Sequence, residues 1–135
     1  MGCEGLGSRL RALEAATVTT CKEIYSFDLT TSSNVFVPCF NLAIPDLTVA
    51  AVDFEVACRQ EDGGGRSSFL RSAVFWRQGS SVQIERIWHT IITVKSNLSF
   101  DINYVLNNES VVFQVKSAVS SPTYWKGCAH VSFLD

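Results

Sequence analysis

From residue 47 the chain reads LTVAAVDFEVACRQ, with Val52, Phe54, Val56 and Cys58 alternating with Asp53, Glu55, Ala57 and Arg59. Successive side chains of a strand point to opposite faces, so this two-residue period predicts a strand with one face on a core and one in water. The same period recurs along most of the chain. TVTTCKEIYSFDLT puts Cys21, Tyr25, Phe27 and Leu29 on one phase, and the turn-like SSN at 32–34 leads into VFVPCFNLAI. Pro38 in that run has no N–H to give a ladder, which predicts an edge strand or a bulge. FLRSAVFWRQ and SVQIERIWH flank Gly79-Ser80, a two-residue connection that fits a tight hairpin. IITVK, LSFDINYVL, VVFQVKSAV and WKGCAHVSFL complete the series, and NNES at 107–110 reads as a second hairpin turn because Asn tolerates positive φ.

Only SRLRALEAA, residues 8–16, departs from this period. Leu10 and Leu13 follow Leu6 at helical spacing, with Ser8 placed to cap. A helix this short is marginal alone and needs something to dock on. The pattern predicts an all-β fold: an antiparallel β-sandwich or jelly-roll-like domain over 21–135, preceded by a short N-terminal helical arm over 1–20.

Composition narrows the partners. A chain of 135 residues is one domain in size, and 47% apolar against 18% charged residues is lean in charge for a fully wetted surface. Part of that surface is expected to be covered by a partner. The net charge of -2 and the absence of a basic run argue against nucleic acid. No apolar run reaches the roughly 18–20 residues of a membrane span, and the N-terminus lacks the apolar segment of a secretory signal, so a soluble protein is expected. Leu6 stands where a myristoylation motif needs Ser or Thr.

Candidate chemistry is sparse. Cys3, Cys21, Cys39, Cys58 and Cys128 include no CxxC pair, and free thiols are the expectation. The glycine triplet of EDGGGRSS, residues 61–68, is not followed by Lys-Ser/Thr, so an exposed loop is expected rather than a phosphate cradle. Cys128 and His130 lie two apart, on one strand face, which invites a Cys-His nucleophile reading. Neither spacing nor neighbours supply an orienting group, and Asp53 and Glu55 are accounted for as a wet strand face. His89 and His130 without a spaced third ligand make no metal site. No cofactor, no metal and no enzymatic activity are therefore expected. Trp76, Trp88 and Trp125 suggest either a sugar-stacking platform or packing; Trp125 is in phase with Val131 and Phe133 and points inward, whereas Trp76 is out of phase with Phe75 and suits an interface.

The segment ACRQEDGGGRSSFLRSAVFWRQGSSVQIE, with LSFDINYVLNNESVVFQVKSA and YWKGCAHVSFLD after it, resembles a β domain of tailed-bacteriophage virion proteins, notably the distal parts of tail fibres. The likeness covers residues 47–135 as a pattern of strands and turns. It implies a virion structural protein, made in the host cytoplasm, that assembles as a homotrimer. Because no coiled-coil shaft precedes the pattern, the expectation is a capsid cement or decoration protein binding the major capsid protein. The alternative is a receptor-binding tail-fibre or baseplate tip that recognises host-surface glycans through the loops at 61–68 and 107–110. The expected interface residues are Leu6, Leu10, Leu13, Trp76 and Trp88; the expected exposed loops carry Gly63, Gly64, Gly65, Arg66, Asn107 and Asn108.

Overall fold

The structure, a computed structural model, describes residues 20–32, 34–63, 65–95, 100–117 and 122–134; within these, the side chains of residues 20, 21, 86–89, 91, 92, 94 and 95 are not described. Eight strands run through the described residues: β1 (Thr20–Thr31), β2 (Val37–Ala43), β3 (Thr48–Gln60), β4 (Arg66–Gln78), β5 (Ser81–Lys95), β6 (Asp101–Asn107), β7 (Ser110–Lys116) and β8 (Thr123–Leu134). They form a five-stranded sheet in the order β1-β8-β3-β4-β5 and a three-stranded sheet in the order β2-β7-β6. Every pairing is antiparallel. The all-β antiparallel expectation holds, with no helix among the described residues. The arm at 1–20, with Leu6, Leu10 and Leu13, lies outside the described residues except for Thr20 at its end.

The alternation read from the sequence sets which face each strand buries. Along β3 buried and exposed residues alternate almost without fault, with Ala50, Val52, Phe54, Val56 and Cys58 inside. Phe69, Ala73 and Phe75 of β4 and Trp125, Ala129, Val131 and Phe133 of β8 extend this inner face. It meets the three-stranded sheet through aromatic rings. Phe113 of β7 stacks on Phe54 at 4.7 Å between centroids and on Phe40 at 5.6 Å, and meets Phe75 edge-on at 6.3 Å. Each large side chain so buried contributes about 1.5–3 kcal/mol, so this contact layer fixes how the two sheets face each other.

The nested pairs β1 with β8 and β2 with β7 wind as in a jelly roll, but the hairpins β3-β4 and β4-β5 stay in one sheet as a meander. Pro38 behaves as its chemistry requires: β2 is an edge strand, and its register with β7 shifts between Pro38 and Phe40. SVQIERIWH and IITVK, two pieces by pattern, are one strand, β5, whose pairing with β4 slips at three places. Bulges absorb the extra residues and keep the strand continuous where the two-residue period breaks.

The turns gather at two ends. At one, Asp46 accepts hydrogen bonds from the amides of Leu47 (2.9 Å) and Gly79 (2.7 Å). Arg77 donates there to the carbonyls of Ile44 (2.9 Å) and Gly79 (2.7 Å) and pairs with Glu109 at 3.4 Å. The 107–110 turn belongs to this end, with Asn108 at φ 54 as its sequence predicts. At the other end the amide of Gln60 donates to the Gly65 carbonyl at 2.8 Å, which closes the 61–65 loop. The Trp125 indole donates to Thr31 at 2.9 Å, and Thr31 is bonded in turn to Ser117. A buried indole N–H needs such a partner, and this one seals the core beneath the loop. Gly65 is buried there, correcting its expected exposure: a Cβ at this position would stand 2.9 Å from the Phe100 ring.

Candidate functional site: the outer face of the five-stranded sheet

The residues of β1, β8, β3 and β4 that do not face the core line up in rungs across the sheet. Thr30, Tyr124, Arg59 and Arg66 make one rung, and Asp28, Lys126, Ala57 and Ser68 the next. Ser26, Cys128, Glu55 and Leu70 follow, then Ile24, His130, Asp53 and Ser72. Two of these strands carry the densest chemistry because β3 and β8 both alternate apolar-in and polar-out, and their pairing places the polar phases side by side.

The first two rungs border an open groove of about 500 Å³ lined by Asp28, Thr30, Ala57, Arg59, Tyr124 and Lys126, with Trp125 and Cys58 at its floor. Tyr124 is 37% exposed, and the Arg59 guanidinium lies 4.9 Å from its ring centroid. An aromatic face, a hydroxyl, two cations and a carboxylate thus converge within one concavity. That chemistry suits a polyhydroxylated ligand: the ring offers an apolar face to stack on, and the charged groups donate and accept hydrogen bonds.

The next two rungs bring together residues that sequence spacing keeps apart. Cys128 Sγ lies 3.3 Å from His130 Nε2, and Glu55 joins them with all three donor atoms within 4.8 Å of one another. Asp53, paired in register with His130, accepts a hydrogen bond from the Ser72 hydroxyl. Carboxylates therefore stand beside the Cys-His pair, contrary to the expectation that nothing near it does so. The Cys128 thiol is nonetheless held above its ordinary range, first by desolvation and then by the negative charge of Glu55, which keeps it protonated and a weak nucleophile near neutral pH.

Burial governs the other two described thiols more strongly, pushing Cys39 up to about 12 and Cys58 to about 11. At pH 8 both are expected to resist iodoacetamide in the folded protein, while Cys128, half-buried at the surface, alkylates first of the three. Peptide mass spectrometry after a short labelling pulse reads this order; Cys39 or Cys58 labelling as fast as Cys128 would contradict it.

The other residues expected at a site are dispersed. Trp76 is half-buried on the outer face of β4, beside Val49, and Trp125 is 1% exposed, so the three tryptophans form no common platform. The side chain of Trp88, in β5, and the whole of Gly64 lie outside the described residues. Gly63, at φ 76, and Arg66 are exposed at one end of the domain, and Asn107 and Asn108 at the other. The full length of the thirteen-residue β3 separates these ends, roughly 40 Å at strand rise. The loops at 61–68 and 107–110 therefore cannot hold one glycan unit between them. The sequence carries one signal for Tyr124, its strand phase: it lies opposite to the inward Trp125 and so faces outward.

No protein-family model and no curated protein matches the chain. Among solved structures it is similar to tailspike protein gp49 of Acinetobacter baumannii bacteriophage Fri1, a capsular polysaccharide depolymerase, with a TM-score of 0.51 and 12% identity. The match covers 84% of this chain and 17% of the tailspike. A second similar structure is the tailspike protein of Acinetobacter baumannii phage AM24, with a TM-score of 0.46 and 9% identity over 84% of this chain and 26% of that one. The chain thus spans well under a third of either tailspike. This likeness corrects the expectation of a protein without enzymatic activity, because the same fold occurs inside a depolymerase. The chain has a fold found in phage tailspike proteins, and the likeness lends nothing to a capsid shell.

Proposed function

We propose that this chain is a module of a phage tail protein that engages polysaccharide on the surface of the host bacterium, through the groove around Tyr124. The observation that carries this reading is the groove itself, where an exposed aromatic ring, Thr30, Asp28, Arg59 and Lys126 meet on a rigid sheet. Strands hold such side chains with little entropy left to lose on binding, which favours a flat, repeating ligand. The fold shared with part of the Fri1 tailspike supports a tail setting, and its described action on capsular polysaccharide suggests the class of ligand. Arg59 and Lys126 outnumber Asp28 in the groove, so sugars bearing carboxylates fit best, and binding is expected to weaken with salt.

Affinity gel electrophoresis against purified capsular polysaccharides from a panel of bacteria tests the reading. Retardation by one or a few polysaccharides is the expected result; unchanged mobility in all of them would contradict it. A reducing-end assay on the same mixtures reads whether the bound chain is also cut.

A trimer remains part of the proposal. Leu134, at 40% exposure, shares an outer-face rung with Val49 and Trp76, an apolar strip that a second copy would cover. Residues 1–20 are proposed as an arm that packs on a neighbouring virion protein, with 21–135 folding as one domain. Light scattering should then give a mass near three times 14.9 kDa.

A further inference from the structure

The Cys128–His130 pair and Glu55 are not used by the groove, yet they form the tightest convergence of metal-binding donors among the described residues. Three features make it more than a surface coincidence. Cys128 and His130 project from the same face of one strand, two residues apart, and Glu55 is the register partner of Cys128 on the adjacent strand, so hydrogen-bonded backbone fixes all three Cα positions. The donor set is one sulfur, one imidazole nitrogen and one carboxylate oxygen, a mixture that suits a borderline cation and not Mg²⁺ or Ca²⁺, which take oxygen alone. The spacing also fits. Tetrahedral zinc with ordinary Zn–S and Zn–N bonds sets sulfur and nitrogen about 3.6 Å apart, and Cys128 Sγ already lies 3.3 Å from His130 Nε2. Glu55 is exposed, and its carboxylate already lies within 4.8 Å of both donor atoms.

We propose that Glu55, Cys128 and His130 form a three-ligand zinc site on the outer face of the five-stranded sheet, with a fourth position open to water or to an oxygen of a bound ligand. Binding replaces the thiol proton with the metal: one Zn–S, one Zn–N and one Zn–O bond form, and the proton leaves to solvent. Asp53, the register partner of His130 and tied to Ser72, offers a second carboxylate on the same rung to orient the imidazole.

The full chain, stripped of metal and kept reduced, is titrated with Zn²⁺ against a chromophoric chelator, and with Co²⁺ followed by absorbance. One equivalent of Zn²⁺ bound, together with a thiolate-to-cobalt charge-transfer band, is expected. Because loss of even an outer-shell partner costs roughly 10–100-fold in affinity, Cys128→Ser and His130→Gln should each weaken zinc binding by more than about 100-fold and abolish the band. Cys39→Ser, in β2 of the other sheet, should leave both unchanged. All three variants are checked for native circular dichroism, and Glu55→Gln, at an exposed position, serves as a further ligand variant that cannot disturb the core. No stoichiometric binding by the wild-type chain, or equal affinity in the Cys128, His130 and Glu55 variants, would overturn the proposal.

Discussion

Phe113→Ala is expected to cost the folded state about 3–5 kcal/mol, as truncation of a fully buried aromatic does when the cavity cannot collapse. Phe113 is wholly buried in the middle strand of the smaller sheet and touches rings from three other strands: Phe54 of β3, Phe40 of β2 and Phe75 of β4. Two of those belong to the opposite sheet. Removing the ring therefore deprives both layers of a central contact at once, and the surrounding strands are hydrogen-bonded too firmly to close the gap. Since single domains are stable by only about 5–15 kcal/mol, the loss is a large share of the total. Urea unfolding followed by tryptophan fluorescence reads it as a lowered midpoint. Leu106→Ala, at a position 39% exposed in β6, should stay within about 0.5 kcal/mol of the parent. A Phe113→Ala chain that unfolds at the parental midpoint would mean that the sheets do not pack through this ring.

Gly127→Val should be nearly as damaging for the opposite reason. A Cβ at 127 would stand 2.5 Å from the carbonyl oxygen of Glu55 and 2.9 Å from the Cβ of Val56, its register partner on β3. Backbone cannot step aside as a flexible side-chain tip can, so β3 and β8 must separate in the middle of the five-stranded sheet. Overpacking typically costs about 1–3 kcal/mol, and a clash with backbone belongs at or above the top of that range. The same displacement would disturb the rung that holds Glu55 beside Cys128. Gly63→Ala makes a useful contrast: nothing lies within 4 Å of its added Cβ, but φ 76 is a left-handed conformation that costs a non-glycine residue about 1 kcal/mol. Thermal unfolding should therefore rank the valine at 127 well below the alanine at 63; the reverse order would contradict the close approach of β3 and β8.

Those two positions show how far the sequence could be read. Alternation along Val52, Phe54, Val56 and Cys58 announced the inner face of β3, and Pro38 announced an edge or a bulge, of which β2 shows both, because these follow from local backbone chemistry. Asn108 marked its turn for the same reason. What stayed hidden depends on which strands become neighbours. Nothing local says that Glu55 will lie opposite Cys128, since β3 and β8 are joined only through long-range pairing, so a triad of donors read as an isolated Cys-His pair and an unremarkable wet face. The distance between the 61–65 and 107–110 turns was hidden in the same way, because it depends on β3, β4 and β6 all delivering their ends to particular poles. Gly65 looked like loop and is core, because Phe100 arrives over it from a strand far along the chain.

The groove around Tyr124 is the centre of the account, and one titration tests it most directly. The polysaccharide that retards the chain is titrated against the parent, Tyr124→Ala and Leu106→Ala, the last lying on the other sheet. Loss of the stacking ring is predicted to weaken binding about tenfold or more, equivalent to some 1.4 kcal/mol, while Leu106→Ala binds as the parent does. Equal affinity of Tyr124→Ala and the parent would contradict the groove as the place where polysaccharide is held.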